Sequence, residues 1–191
     1  VIPDSGKLEV LGKDIKSLED DELNELRREV GYLFQGGALY DAMTVRQNLE
    51  FPLKRLPDKP AEGEITDLVE EVLNSVGLIE AIDKMPSELS GGMKKRIALA
   101  RTIILKPKII LYDEPTTGLD TITAKEISNL IRKMQSEYGI SSVTITHDLL
   151  CTKITGDRIC ILKNGNFLAE GTYEELKDSD NQKISAFFEH S

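Results

Sequence analysis

The chain has few of the features that mark secreted or membrane-spanning proteins. Its 191 residues include two cysteines, Cys151 and Cys160. This number does not suit a disulfide framework, and it predicts an intracellular protein with reduced thiols. No window approaches the roughly 18 to 20 apolar residues that a membrane-spanning helix needs, and no signal segment opens the chain. It also lacks repeats and low-complexity tracts, so a single domain over residues 1–191 is expected.

Positive charge is scarce as well. The sequence has 24 Lys and Arg residues against 33 Asp and Glu residues, a formal net charge of −9. Such a balance disfavours sequence-independent binding to nucleic-acid phosphates, and no nucleic-acid partner is expected. A hydrophobic fraction of 40% and a charged fraction of 30% are ordinary for a globular protein with its own core.

The apolar pattern predicts an α/β fold. Short β-branched or apolar runs alternate with helical stretches, which is typical of parallel βαβ units. The predicted strands cover 30–34, 108–112 and 141–146. The predicted helices cover 17–28, 65–76, 93–105 and 124–138. Ser17 and Asp20 resemble a capping box for the first helix, and the prolines and glycine of 56–63 predict a surface loop. An Asn164-Gly165 turn predicts a hairpin region over 158–175, followed by a tail helix over 176–191.

The three predicted strands each lead into polar residues of useful chemistry. Gln35 follows the first strand, Asp113-Glu114 the second and His147-Asp148 the third. In open α/β sheets, ligands bind beyond the carboxyl ends of the strands, so these residues are expected to converge. A carboxylate pair, an amide and an imidazole could hold a divalent metal ion there and orient a water molecule.

Each of these residues also has a purely structural explanation. Asp113 and His147 could simply open the following helix or turn, and Gln35 could be an ordinary loop residue. Glu114 is harder to explain in this way. Two adjacent acids at the end of a buried strand repel each other, which favours a bound cation or a polarised water molecule.

A second motif, Ser90-Gly91-Gly92, leads directly into a helix. Two glycines and a serine at a helix start expose backbone N–H groups at the positive end of the dipole, which favours an anion site. Alternatively, Ser90 is only an N-cap after a flexible loop. Lys94, Lys95 and Arg96 lie in the first turns, where positive charge opposes the dipole, so these residues need another role.

Together these motifs resemble the ATP-binding-cassette (ABC) ATPase family, in order and in spacing. The matching segments are Leu89–Met93, Arg96–Arg101, Ile109–Pro115, Thr116–Asp120 and His147. The resemblance covers about residues 1–175. It implies a P-loop NTPase-like fold in which a helical subdomain, about residues 36–105, is inserted into the α/β core.

The resemblance also implies roles for individual residues. Asp113 and Gln35 would act on Mg²⁺, and the catalytic residues would be Glu114, which positions or activates the attacking water, together with His147 and Gln35 near the γ-phosphate of ATP. Two cassettes of this family associate head to tail. The residues expected to contact ATP in such a dimer are Ser90, Gly91, Gly92 and Asp120.

The phosphate-binding motif of the family, G-x-x-x-x-G-K-[ST], is absent from the sequence. Gly6-Lys7 does not qualify, because Leu8 follows where Ser or Thr must bind Mg²⁺ and Val1 lies where the first glycine belongs. The chain is expected to be either a fragment of a longer reading frame or a naturally degenerate cassette. In both cases it should bind Mg-ATP poorly and hydrolyse essentially none, and alone it would amount to a non-catalytic interaction module.

The region over 34–53 and the residue Met93 resemble the cassettes of bacterial lipid transporters of the Mla and Mce type. Amino-acid importers and lipoprotein-release cassettes share much of the same sequence, so they remain alternatives. The exposed-loop candidates Ala38, Leu39 and Tyr40 are expected either to contact a membrane permease or to pack ordinarily at a strand end.

The resemblance implies three partners: a second cassette, a transmembrane permease and a substrate-binding lipid-transport protein. It also implies a cytoplasmic protein held on the inner face of the cell membrane by the permease. DNA-organising relatives carry a long coiled coil and ribosomal relatives carry tandem cassettes. This sequence has no sustained heptads and one signature motif, which argues against both classes.

Overall fold

The computed structural model describes residues 3–188 of the chain. The strands are β1 (Glu9–Val10), β2 (Lys13–Asp14), β3 (Val30–Leu33), β4 (Ile109–Asp113), β5 (Ser141–Ile145), β6 (Ile159–Lys163) and β7 (Asn166–Gly171). The helices are α1 (Asp20–Arg28), α2 (Val45–Lys54), α3 (Glu62–Ser75), α4 (Gly91–Ile103), α5 (Thr121–Tyr138), α6 (Leu149–Thr155), α7 (Tyr173–Lys177) and α8 (Gln182–Ser185). Short 3-10 turns lie at Ile15–Ser17, Ile79–Ala81 and Pro86–Glu88.

A parallel sheet organises the fold. Its strands follow the order β3-β4-β5, and the register places Leu33 beside Tyr112 and Tyr112 beside Thr144. Two antiparallel ribbons, β1-β2 and β6-β7, stand apart from this sheet. The predicted α/β class with a parallel sheet is therefore confirmed.

One face of the parallel sheet packs against α4. Ile110 and Tyr112 point to this face and are fully buried in a core to which α2, α3, α4 and α5 contribute. The contact is close at Gly31, where a Cβ atom would lie 2.7 Å from Cγ2 of Thr102. Alternate residues of β4 therefore join the core, as the pleat requires.

The opposite face of the sheet is open in the part of the chain that the structure describes. Tyr32, Val143 and Ile145 point to this face, and they remain 43%, 55% and 61% exposed. Beyond the carboxyl ends of the three strands, Gln35 and His147 are exposed, and Asp113 and Glu114 are half-buried.

The start of the first helix differs from the prediction. Ser17 lies in a 3-10 turn, where its hydroxyl donates a hydrogen bond to the carbonyl oxygen of Asp14 at 2.9 Å. α1 begins only at Asp20, and the Glu22 carboxylate accepts the backbone N–H of Glu19 at 3.1 Å. The capping box of α1 is therefore formed by Glu19 and Glu22, and not by Ser17 and Asp20.

Two helices were not predicted. α2 contains Pro52, whose missing N–H removes one hydrogen bond of the helix. A reciprocal cap opens α2: Gln47 accepts the N–H of Thr44 at 2.9 Å, and Thr44 accepts the N–H of Gln47 at 3.2 Å. In α6, Asp148 is the cap and accepts the N–H of Leu150 at 2.9 Å.

The C-terminal part agrees with the predicted hairpin but not with a single tail helix over 176–191. Asn164 and Gly165 both have positive φ, 51° and 76°, as a tight hairpin turn requires. α7 and α8 are separate short helices, because Thr172 and Asn181 each cap a helix of their own. The last part of the predicted tail helix, 189–191, lies outside the described residues. The predicted loop over 56–63 is shorter, since α3 already begins at Glu62.

Candidate functional site

The carboxyl edge of the parallel sheet brings the predicted catalytic residues together. Gln35 follows β3, Asp113 ends β4, Glu114 comes next, and His147 lies after β5. The ammonium of Lys95 donates hydrogen bonds to the backbone carbonyl oxygens of Gln35 and Glu114. The loops after β3 and β4 therefore meet at one side chain.

Glu114 and His147 form the central pair of the site. Oε1 of Glu114 lies 2.8 Å from Nδ1 of His147. The other carboxylate oxygen accepts the hydroxyl of Thr117 at 3.1 Å and that of Thr146 at 3.4 Å. The hydrogen bond to Glu114, aided by its negative charge, raises the pKa of His147 above the usual value of 6.5. The Glu114 carboxylate, fixed by three hydrogen bonds, thus contacts the exposed imidazole of His147.

The backbone of Glu114 is strained. Its φ angle is +47°, in the left-handed region that costs a residue with a side chain about 1 to 3 kcal/mol. The N–H of Glu114 donates to the carbonyl oxygen of Ile145 at 2.9 Å, which joins the loop after β4 to β5. Surrounding hydrogen bonds therefore hold a conformation that the residue would not adopt alone.

Asp113 has the chemistry of a magnesium ligand. Its carboxylate is half-buried at the end of β4, and Oδ2 accepts the hydroxyl of Tyr32 at 3.4 Å. Across residues 3–188, no cluster of three or more His, Cys, Asp or Glu side chains could form a metal site. Mg²⁺ that binds with a nucleotide needs only one or two protein oxygens, because phosphates and water supply the rest. The Asp113 carboxylate and the Gln35 amide fit that requirement.

The Ser90-Gly91-Gly92 motif forms the start of α4. Ser90 is the N-cap, and its hydroxyl accepts the N–H of Met93 at 3.3 Å, so the predicted capping role exists. A Cβ atom at Gly92 would lie 2.7 Å from Cγ2 of Thr123 on α5, which explains the need for glycine there. The first backbone N–H groups of a helix have no partner within it, so this start keeps donors for an anion.

Asp120 lies beside this motif and caps α5. One carboxylate oxygen accepts the N–H groups of Ile122 and Thr123, at 3.1 and 3.0 Å, and the other accepts the hydroxyl of Thr123 at 2.6 Å. The hydrogen bonds from Thr123 lower the pKa of Asp120. Within residues 3–188, no hydrogen bond joins this group to the Glu114 and His147 pair.

Comparison with known proteins decides the family. Residues 1–117 match the family model described as ABC transporter. The chain belongs to the ABC transporter family. This result confirms the family that the motifs predicted, and with it the ATPase class.

Relatives of this cassette differ in what their names say they transport. It is 37% identical to the intermembrane phospholipid transport system ATP-binding protein MlaF of Haemophilus influenzae, over 98% of this chain and 70% of that protein. It is 39% identical to the methionine import ATP-binding protein MetN of Carboxydothermus hydrogenoformans, over 92% of this chain and 52% of that protein. The chain thus spans about half the length of such methionine-import relatives.

Solved structures agree with this assignment. CbiO1 of Clostridium perfringens, part of the ABC transporter complex CbiONQ, superposes with a TM-score of 0.84 at 32% identity, over 92% of this chain and 69% of that one. The ATP-binding cassette MJ0796, a dimer in a post-hydrolysis state with ADP and Pi, gives a TM-score of 0.78 at 33% identity. The match covers 90% of this chain and 75% of that one. The fold is that of an ABC ATPase domain.

Two basic residues at the start of α4, Lys95 and Arg96, have partners on other elements of the cassette. Lys95 is only 7% exposed and reaches the loops after β3 and β4. Arg96 pairs with Glu126 at 2.7 Å and donates to the carbonyl oxygen of Val76 at 3.2 Å. These contacts explain why positive charge is tolerated there. The pattern along the chain did not reveal the partners, because they are distant in sequence.

The alternative in which His147 opens a helix is wrong for this cassette. The next residue, Asp148, caps α6 and also accepts the hydroxyl of the buried Thr116 at 2.8 Å. The side chain of His147 is instead 80% exposed and bonded to Glu114. Its position is therefore available to chemistry rather than needed for a helix cap.

The loop that contains Ala38, Leu39 and Tyr40 has one packed side chain and two exposed ones. Leu39 is half-buried and packs against the core, which matches ordinary packing at a strand end. Ala38 is exposed with a φ of +47°, and Tyr40 is 45% exposed. Two of the three side chains therefore remain accessible to a partner.

Asn48, which the sequence did not single out, anchors this loop. It is fully buried on α2. Its side chain accepts the N–H of Tyr40 at 2.8 Å and donates to the carbonyl oxygens of Tyr40 and Met43, at 3.1 and 3.0 Å. The sequence does contain a sign of this role. Asn48 lies among the apolar residues Val45, Leu49 and Leu53 at helical spacing, and a buried polar side chain needs hydrogen-bond partners.

None of the helices described for this cassette is both long and apolar enough to cross a bilayer.

Proposed function

We propose that the full-length gene product binds and hydrolyses Mg-ATP to drive transport across a membrane. The contact between Glu114 and His147 carries the proposal. It places a fixed carboxylate and an exposed imidazole at the carboxyl edge of a parallel sheet, where ligands bind in such folds.

The proposed chemistry is phosphoryl transfer to water. Such a reaction depends mainly on positioning and charge neutralisation. The Glu114 carboxylate orients the attacking water and takes its proton, while His147 and Gln35 act beside the γ-phosphate. The carboxylate of Asp113 and the amide of Gln35 hold Mg²⁺, which neutralises phosphate charge when it is bound.

A second copy of the protein completes the proposed site. The start of α4, with Ser90, Gly91 and Gly92, offers backbone N–H groups to an anion. In a head-to-tail homodimer, these residues and Asp120 of one copy cover the nucleotide held by the other. The relative solved as a dimer with ADP and Pi supports a dimeric state.

The proposed cargo is a phospholipid or another lipid, moved with a transmembrane permease. The 37% identity to MlaF supports this choice, and the methionine-import relatives keep amino-acid import as an alternative. Ala38 and Tyr40 supply the proposed permease contact, which keeps the protein at the cytoplasmic face of the membrane. A substrate-binding lipid-transport protein is a further proposed partner.

The substitution Glu114→Gln in the full-length gene product tests the chemistry. We expect ATP turnover to fall by roughly 10² to 10⁴, the usual contribution of a positioned acid or base, and an ATP-bound dimer to accumulate. Glu64→Gln, an exposed residue on α3, is the matched control and should leave turnover unchanged. Equal turnover in wild type and Glu114→Gln would show that another group orients the water.

The cargo is tested with the protein and its permease in vesicles. ATP should drive the movement of a labelled phospholipid of the vesicle membrane, and ATP turnover should stay constant when methionine is added. The reverse pattern would favour the amino-acid alternative.

A further inference from the structure

Lys95 is a buried cation with no part in the proposed chemistry. It lies in the second turn of α4 and is 7% exposed. Burial lowers its pKa, while the negative charges of Glu114 and Asp113 act in the opposite direction. Removing an ammonium from water is costly unless the group is well paired, so its position requires good partners.

Those partners are two loops of the site. The ammonium donates to the backbone carbonyl oxygen of Gln35, and it lies 3.4 Å from the carbonyl oxygen of Glu114. Gln35 is 60 residues away in sequence and Glu114 is 19 residues away. One side chain on α4 therefore joins the ends of two neighbouring strands.

Two more residues on the same face of α4 hold the loop that contains Gln35. Positions 95, 98 and 101 are three apart, so they share one side of the helix. A Cβ atom at Gly37 would lie 3.2 Å from Cβ of Ala98, and Arg101 donates to the carbonyl oxygen of Gly37 at 3.3 Å. The loop thus rests along the helix and would follow its movement.

The contact with Glu114 falls on the strained residue of the site. Within the loop, the N–H of Thr117 donates to the Glu114 carbonyl oxygen at 3.3 Å. Lys95 adds a donor that carries a charge and comes from outside the loop. At 3.4 Å this contact is long for a hydrogen bond, and its favourable part is mainly the attraction of the ammonium charge for the carbonyl oxygen of the residue with positive φ.

We propose that Lys95 is a positioning residue for ATP hydrolysis: it fixes the backbones of Gln35 and Glu114 against α4, the helix that begins with Gly91 and Gly92. This inference rests on the proposed ATPase function. Because the same helix carries both features, a shift of its first turn reaches both catalytic loops.

The test uses the full-length gene product and the variants Lys95→Met and Lys95→Arg. Misplacing a reacting group by about 1 Å can cost 10²-fold in rate. We expect Lys95→Met to lower kcat by about 10- to 100-fold with KM for ATP within about threefold of wild type. Lys95→Arg keeps the charge but changes the donor geometry, so its kcat should be intermediate. Lys177→Met, which removes an exposed ammonium on α7, is the control and should match wild type.

The outcomes separate this inference from the function on which it rests. A wild-type protein without ATP turnover would overturn the proposed function. An active wild type with unchanged kcat in Lys95→Met would overturn only the role of Lys95, as would a loss confined to KM. If Lys95→Met does not fold, Lys95→Arg decides: a reduced kcat at unchanged KM supports positioning, and a wild-type kcat contradicts it.

Discussion

Nδ1 of His147 lies 2.8 Å from Oε1 of Glu114, although 33 residues separate the two in sequence. The side chain of the glutamate is 20% exposed and that of the histidine 80%. The parallel pairing of β4 and β5 accounts for this meeting, because it places the ends of the two strands side by side. The distance between these two side chains therefore depends on how β4 and β5 pair at the carboxyl edge of the sheet.

The first prediction concerns the titration of His147. Its folded-state pKa is raised by Glu114, so we expect a value above 6.5 in the wild-type chain. Any stability from this contact is fully present below the unfolded pKa and is lost as pH rises through the folded pKa. A titration of the imidazole by NMR measures this directly. The sequence has two histidines, so a His147→Asn variant assigns the signal.

The control for this titration is Glu114→Gln, which removes the charge but keeps the shape. The pKa of His147 should then move down towards 6.5. A pKa that is the same in both proteins would mean that the contact does not persist in solution.

The second prediction compares two glycines at the same place in different helices. Gly92 and Gly63 are each the second residue of a helix, α4 and α3. A Cβ atom at Gly92 would approach Thr123 to 2.7 Å, whereas one at Gly63 meets nothing within 4 Å. Alanine favours a helix over glycine by about 1 kcal/mol.

We therefore expect Gly63→Ala to raise the free energy of unfolding by about 0.5 to 1 kcal/mol and Gly92→Ala to leave it unchanged or lower it. Urea denaturation of both variants measures the difference. Equal stabilisation of the two would show that α4 and α5 can separate to make room for the methyl group.

The third prediction concerns Asn48. Its replacement by alanine removes the side-chain oxygen that accepts the N–H of Tyr40. It also removes the side-chain NH2 that donates to the carbonyl oxygens of Tyr40, Met43 and Thr44. Each buried polar group left unpaired costs roughly 1 to 3 kcal/mol, so Asn48→Ala should destabilise the protein by about 3 kcal/mol.

Asn74→Ala is the matched control for this variant. Asn74 is exposed on α3 and makes one side-chain hydrogen bond, to the carbonyl oxygen of Glu70. Its loss should change the free energy of unfolding by less than about 0.5 kcal/mol. Similar effects at both positions in chemical denaturation would argue against an anchoring role for Asn48.

The fourth prediction addresses the proposed permease contact. The ring of Tyr40 packs against that of Phe51, with centroids 4.9 Å apart, and is 45% exposed. Tyr40→Asp should weaken co-purification with the permease and leave the circular dichroism spectrum unchanged. Phe167→Asp, at a residue 75% exposed on β7, should have no effect on association. Unchanged association in Tyr40→Asp would remove this residue from the proposed interface.

The errors made from sequence have local causes. No helix was predicted over 45–54, although Thr44 and Gln47 cap each other's backbone N–H groups there. The helix α1 was started too early because Ser17 resembled a cap residue, whereas its hydroxyl donates to Asp14 in a 3-10 turn.

The order and spacing of the sequence motifs were enough to predict the family and the strand ends that carry the polar residues. Alternating apolar residues, adjacent acids and a glycine pair at a helix start are local patterns with a local physical meaning. Three features became visible only in the folded chain: Lys95 joins the loops of Gln35 and Glu114, Asn48 holds the loop at Tyr40, and Glu114 adopts a positive φ. These features depend on groups far apart in the chain, which become neighbours only when the sheet forms and α4 packs against it.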